Sequence, residues 1–140
     1  MIIYDAENQI LGRIATRIAK DLLRGEKVYV VNCEKAVISG DPKKIIETYL
    51  QKIRRGDPKK GPFFPRTPEG IFRRTVRGML PWKKAKGRKS YKNLRVFIGI
   101  PEELKKKEFK KVEDADVKKL KCKFIYLGEL STMLGAKKRW

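Results

Sequence analysis

The tightest constraint on the fold is a run of five residues, Val28-Tyr29-Val30-Val31-Asn32. Continuous β-branched and aromatic runs suit a strand covered on both faces, the position of an inner strand in a parallel sheet. Upstream, Ile2-Ile3-Tyr4 reads as a short first strand and Asp5 to Asn8 as a turn. Between the two strands, Ile10 to Arg24 has a helical period. Leu11, Ile14, Ala15, Ile18, Ala19 and Leu22 recur at i, i+3, i+4, i+7, i+8 and i+11 as one apolar stripe. Gly25 supplies the stop. Strand, helix, strand is a βαβ unit with a right-handed crossover. A second stripe, Arg13, Arg17, Lys20 and Arg24, lies on the other side of the helix. It reads mainly as a solvated outer face, with Asp21 near Arg17 and Arg24.

Further along, Ala36-Val37-Ile38 is a brief apolar stretch. Asp41 caps a second helix with Pro42 at its first position, and Ile45, Ile46, Tyr49, Leu50 and Ile53 form its buried face. That helix ends near Arg55-Gly56. Three prolines and two glycines in residues 56–66 make a stiff loop. Thr67, Pro68 and Glu69 then open a third helix, with Ile71, Phe72 and Val76 on one side, Arg73, Arg74 and Arg77 on the others, and Gly78 as its stop. Leu94 to Ile98 reads as a third strand, Pro101 to Lys107 as a short helix with Glu102–Lys106 and Glu103–Lys107 pairs, Lys121 to Leu127 as a fourth strand, and Gly128 to Leu134 as a closing helical turn. A basic tail follows. At 140 residues the chain is read as one domain spanning 1–140.

Charge is distributed unevenly over this plan. The chain carries 36 Lys+Arg against 16 Asp+Glu, a net charge of +20. Residues 1–51 hold 8 basic and 7 acidic side chains, residues 96–140 hold 12 and 7, and residues 52–95 hold 16 and 2. Unbalanced charges at that density repel one another, and a polyanion relieves the repulsion while releasing counterions. The interleaving with Pro, Gly and aromatics is unlike a membrane-surface helix. Nucleic acid is the partner that this pattern fits. The cations are Arg54, Arg55, Lys59, Lys60, Arg66, Arg73, Arg74, Arg77, Lys83, Lys84, Lys86, Arg88 and Lys89, with Lys52, Lys92 and Arg95 at the ends. Arginine pairs bidentately with phosphate. Phe63, Phe64, Trp82 and Tyr91 lie among the charges, and such rings can stack on unpaired bases. For Phe63, Phe64 and Trp82, packing in the core is an equally good account.

Other chemistries lack their residues. There is no histidine, so no Ser-His-Asp or Cys-His nucleophile and no imidazole metal ligand. Cys33 and Cys122 form no C-x-x-C pair; one disulfide is arithmetically possible, and two reduced thiols are the favoured reading. Asp5, Asp41, Asp57 and Glu69 each suit a turn or helix cap better than a magnesium site, so no catalytic or metal-binding residues and no cofactor are expected. No apolar run is long enough to span a membrane, and the first residues lack a secretory pattern.

Several blocks resemble a known family. They are Leu11-Gly12-Arg13-Ile14-Ala15 after Asp5-Ala6, the strand from Val28 to Asn32 leading to Val37-Ile38-Ser39-Gly40, and Val76-Arg77-Gly78-Met79-Leu80-Pro81 followed by Gly87-Arg88 and Leu94-Arg95-Val96-Phe97. Over residues 2–100 these are similar to the universal large-subunit ribosomal protein thirteen family. The end of the chain, with Leu127-Gly128-Glu129-Leu130, resembles its archaeal and eukaryotic branch. The resemblance implies a three-layer α/β/α domain around a central four-stranded, mainly parallel sheet. It also implies a non-catalytic role in the cytoplasmic ribosome. The partners implied are large-subunit ribosomal RNA and neighbouring large-subunit proteins, with no membrane and no small-molecule substrate. Carried over by position, Arg13 belongs to the Leu-Gly-Arg motif, and Arg77 and Arg88 to the basic Gly-Met-Leu-Pro segment. A free nucleic-acid-binding regulator and a nucleic-acid enzyme are the rival classes.

Overall fold

The computed structural model describes residues 1–55 and 64–140. In chain order its main elements are β1 (Ile2–Asp5), α1 (Leu11–Leu23), β2 (Val28–Val31), β3 (Val37–Ser39), α2 (Pro42–Arg54), α3 (Pro68–Arg77), α4 (Ala85–Tyr91), β4 (Leu94–Val96), β5 (Phe124–Tyr126) and α5 (Leu127–Met133). β1, β2 and β4 form a parallel sheet with β2 in the middle. Tyr4 lies opposite Val30, and Val30 opposite Val96. The central position explains the unbroken apolar run. Val28 and Val30 point to one face, where the α1 stripe of Leu11, Ile14, Ala15, Ile18 and Leu22 buries them. Tyr29 and Val31 point to the other, against Ile3, Leu104, Phe97, Ile100 and Phe109. The strand ends where Asn32 takes a left-handed conformation, φ 57°.

The sheet has three strands where four were expected. The expected fourth strand is β5, and it joins β3 in a separate antiparallel pair, with Val37 opposite Tyr126 and Ser39 opposite Phe124. The Gly40 amide donating to the Lys123 carbonyl (2.8 Å) and the Leu127 amide donating to the Ala36 carbonyl (2.8 Å) bracket this ribbon. The outer edge of β1 is meanwhile occupied. Lys110 lies along it, donating to the Ile3 carbonyl at 2.7 Å and accepting from the Asp5 amide at 3.0 Å. The stretch 101–107 differs too. It forms a 3-10 turn, Glu102–Leu104, with the Lys105–Glu102 pair at 2.9 Å. Residues three apart are the neighbours in that tighter winding, so the expected i, i+4 pairs are replaced.

α2 starts as read, with Asp41 accepting from the Lys43 amide at 3.1 Å. None of its residues is fully buried; Ile45, Ile46, Tyr49, Leu50 and Ile53 pack against the main core as a half-covered face. α3 and α4 lie beside α1 on one side of the parallel sheet. α4 was not expected. Its sequence has no apolar stripe, and the residues it buries are Gly87 and Ser90.

Candidate nucleic-acid interface

The basic segment is built from α3, the turn after it and α4. Thr67 Oγ1 accepts from the Gly70 amide at 3.3 Å, and Pro68 occupies the first turn. Ile71, Phe72 and Val76 are fully buried, which fixes the rotation of α3 and leaves Arg73 and Arg74 exposed and Arg77 half-buried. The chain then turns tightly. The Met79 amide donates to Val76 (3.0 Å), Leu80 to Arg77 (3.1 Å), and Lys84 to Pro81 (3.0 Å). Leu80 inserts into the core at 6% exposure, anchoring the turn. α4 passes directly over Pro81. A Cβ at position 87 would fall 2.5 Å from the Pro81 carbonyl carbon and closer still to its oxygen. Glycine is the residue that permits this approach.

Two arginines from α3 are held by two aromatics across that turn. The Arg77 guanidinium lies 4.1 Å from the centroid of Trp82, and Arg73 lies 5.1 Å from Tyr91. The rings meet edge to face, with centroids 5.2 Å apart and planes at 76°. The order is Arg77, Trp82, Tyr91, Arg73. Cation–π contact attracts each guanidinium without neutralising it, so the rings, both half-buried, hold charge at the surface.

Carboxylates do not cancel that charge. Glu69 is the one acidic residue of 64–95, and it pairs with Arg139 of the tail. Among the described residues, Arg66, Arg73, Arg74, Arg77, Lys83, Lys84, Lys86, Arg88 and Lys89 make no ion pair. All but Arg77 are exposed.

The other expected residues lie apart from this cluster. Arg54 and Arg55 are exposed at the C-terminal end of α2, and Arg66 lies near Gly135. Arg13 sits on α1 and donates from Nη1 to the Asp114 carbonyl at 2.9 Å. Lys59, Lys60, Asp57 and Phe63 lie outside the described residues. Phe64 packs edge to face on Tyr49 (5.6 Å) against the core, and Lys52 lies over both rings. Phe64 is thus a packing residue. The sequence reading passed over Gly87 as a packing determinant and the tail arginine as the partner of Glu69. The Gly87-Arg88 pair after a proline turn was the available signal for the first.

Cys33, Asp5 and Glu34 serve the fold. Burial, then the charges of Glu34 and Glu69, pushes the Cys33 thiol well above the ordinary thiol range, which keeps it protonated and unreactive. Asp5 accepts from the Glu7 amide and from Asn32 Nδ2, both at 3.0 Å. Glu34 accepts from the Gly99 amide at 3.0 Å. Among the described residues, no three acidic or cysteine side chains converge on one point.

Comparison with known proteins matches this sequence to one family. The model of the family described as "Ribosomal protein L13" covers residues 1–103. A large ribosomal subunit protein uL13 from Archaeoglobus fulgidus is 54% identical over 95% of this chain and 86% of its own length. The protein of that name from Sulfurisphaera tokodaii is 52% identical, covering 96% and 94%. That from Methanosarcina barkeri is 46% identical, covering 98% and 99%. A family match over residues 1–103, joined to about half identity across nearly the whole chain, places this protein in the ribosomal protein L13 family.

Proposed function

We propose that this chain is a non-catalytic structural constituent of the large ribosomal subunit, working in the cytoplasmic ribosome. It binds large-subunit ribosomal RNA through the α3–α4 face and acts in subunit assembly as one unit, residues 1–140. Large-subunit RNA and adjacent large-subunit proteins are its partners. The names of its relatives support the setting. The observation that carries the RNA reading is the cation array on α3 and α4, exposed and without carboxylates to absorb it. Two of its guanidiniums are pre-positioned on Trp82 and Tyr91, which lowers the ordering cost of binding phosphate. Arg13, Arg54, Arg55, Lys59, Lys60 and Arg66 extend the proposed contact set. No helix of the described residues is long and apolar enough to cross a membrane.

The test is RNA binding across salt. With six to ten phosphate contacts, affinity falls by about 10³- to 10⁵-fold between roughly 50 and 200 mM salt. Changing Arg73, Arg74 and Arg77 together to Gln removes about three units of the log–log slope. The same change at Lys105, Lys106 and Lys107, on the opposite side of the parallel sheet, leaves it intact. Equal losses in the two triple variants would remove α3–α4 from the interface.

A further inference from the structure

The stripe Arg13, Arg17, Lys20 looks on sequence like a solvated helix face balanced by Asp21, and the structure removes the balance. Asp21 is buried at 5% exposure and accepts the Tyr4 hydroxyl; the cation that reaches it is Arg24, at 3.9 Å. Arg13, Arg17 and Lys20 are exposed and in no ion pair among the described residues. They border a cleft of about 280 Å³, closed on its other side by Val112 and Asp114. Thr16 adds a hydroxyl to its wall.

We infer that this cleft is a second phosphate-binding site for the RNA backbone, continuous with the α3–α4 face. The inference rests on the reading of that face as an RNA surface. Three observations converge on it. Residues at i, i+4 and i+7 rise about 6 and 10 Å along a helix axis, so the three cations form a row along one strand of backbone. The hydrogen bond from Arg13 to the Asp114 carbonyl fixes one guanidinium at the rim before any ligand arrives. Thr16 Oγ1 lies 3.6 Å from Met79 Sδ, which joins the α1 surface to the turn between α3 and α4.

The chemistry of the lining selects the occupant. Three cations face one carboxylate, Asp114, which stands outside ion-pair distance of all of them. Guanidinium and ammonium donors suit phosphate oxygens, while the Thr16 hydroxyl donates to the Gly12 carbonyl at 2.9 Å. The volume sits at the lower edge of small-molecule pockets, enough for a phosphate group. Val112 is buried, so the cleft offers an acidic peptide little apolar anchorage.

The experiment uses the full chain and an archaeal large-subunit ribosomal RNA transcript, with transfer RNA as competitor, titrated from about 50 to 300 mM salt. The double variant Arg17→Gln, Lys20→Gln is compared with Arg17→Lys, Lys20→Arg and with the α3 triple variant described above. Gln preserves helix propensity, and circular dichroism verifies the fold. The Gln pair is expected to lower the salt slope by about two, one unit per lost phosphate contact, while the charge-preserving pair retains it. An unchanged slope in the Gln pair alongside a reduced slope in the α3 triple overturns the inference and leaves the α3–α4 reading standing. Unchanged slopes in both overturn that reading as well. Loss of poly-glutamate binding with the RNA slope intact assigns the cleft to an acidic protein and equally overturns the inference.

Discussion

The β1–α2 third of the chain and the α3–α4 segment dispose of their carboxylates differently. Residues 1–51 are close to neutral in composition, with 8 basic and 7 acidic side chains. Several of those acids are turned to structural work. Asp21 accepts from Tyr4, Asp5 holds the turn after β1 and the side chain of Asn32, Glu34 takes the Gly99 amide, and Asp41 caps α2. The cations on α1 stay outside, so a neutral sequence folds into an unequal surface. In α3–α4 the asymmetry is already in the composition, and the one described carboxylate is taken by the tail. The sign of a surface thus depends on which way its acids point, and counting charges along a chain misses this.

The largest expected effect tests whether α3–α4 is a rigid plate or a loose basic strip. Gly87→Ala forces a methyl group into the Pro81 carbonyl, a backbone contact that cannot swing away. Overpacking typically costs about 1–3 kcal/mol and more where, as here, the obstacle is backbone, which outweighs the gain of roughly 1 kcal/mol that Ala brings to a helix interior. Urea unfolding is expected to show a net loss, and RNA affinity to fall as the Arg77–Trp82 side of the turn shifts. Gly12→Ala on α1 is the matched control. Nothing lies within 4 Å of its Cβ position, so the same substitution there is neutral or stabilising. Equal stability of the two variants would mean that α4 does not press on the turn.

Legibility in the sequence followed the same division. The βαβ core was readable because α1 and β2 bury long apolar patterns of different period, and the structure keeps the apolar stripe of α1 residue by residue. The caps at Asp41 and Thr67 were readable because they are local hydrogen bonds. α4 was not, since a helix that packs through Gly87 and Ser90 has no apolar signal to show. The partner of β5 was hidden for another reason. An antiparallel ribbon of three residues a side depends on which sheet edge is vacant, and Lys110 had taken that of β1. In α3–α4, the concentration of charge was legible, and the Arg–aromatic ladder was not, because it joins residues from two helices and a turn.

An intermediate effect is expected from Tyr4→Phe, which removes the donor that keeps Asp21 turned inward. Tyr4 is fully buried, and its phenol is pushed well above the ordinary tyrosine range by burial and then by the hydrogen bond to Asp21. Leaving the buried carboxylate without its donor costs about 1–3 kcal/mol, measurable by urea unfolding at neutral pH. The pH dependence follows from the direction of the shift. A phenol that ionises later in the folded than in the unfolded chain contributes fully below its unfolded value of about 10 and loses that contribution as pH rises beyond it. The stability gap between wild type and Tyr4→Phe is therefore expected to narrow above about pH 10. A gap that stays constant there would mean that Tyr4 titrates as an ordinary phenol.

The smallest effect separates two uses of an aromatic within a basic surface. If Trp82 serves by holding Arg77, its replacement by Leu removes one cation–π contact, worth about 0.5–1 kcal/mol at an exposed site. RNA affinity then falls about two- to fivefold at fixed salt. The salt slope stays unchanged, because every cation is still present and only its placement has loosened. Trp82→Phe keeps a ring over which the guanidinium can lie and recovers part of the loss. A Trp that instead stacks on an RNA base loses about 1–3 kcal/mol on truncation, a drop of tenfold or more at the upper part of that range, again with no change in slope. Arg77→Gln resolves the overlap between the two ranges. Where Trp82 acts through Arg77, Trp82→Leu costs nothing further in the Arg77→Gln background. A base-stacking Trp82 shows its full effect there, since its partner lies on the RNA.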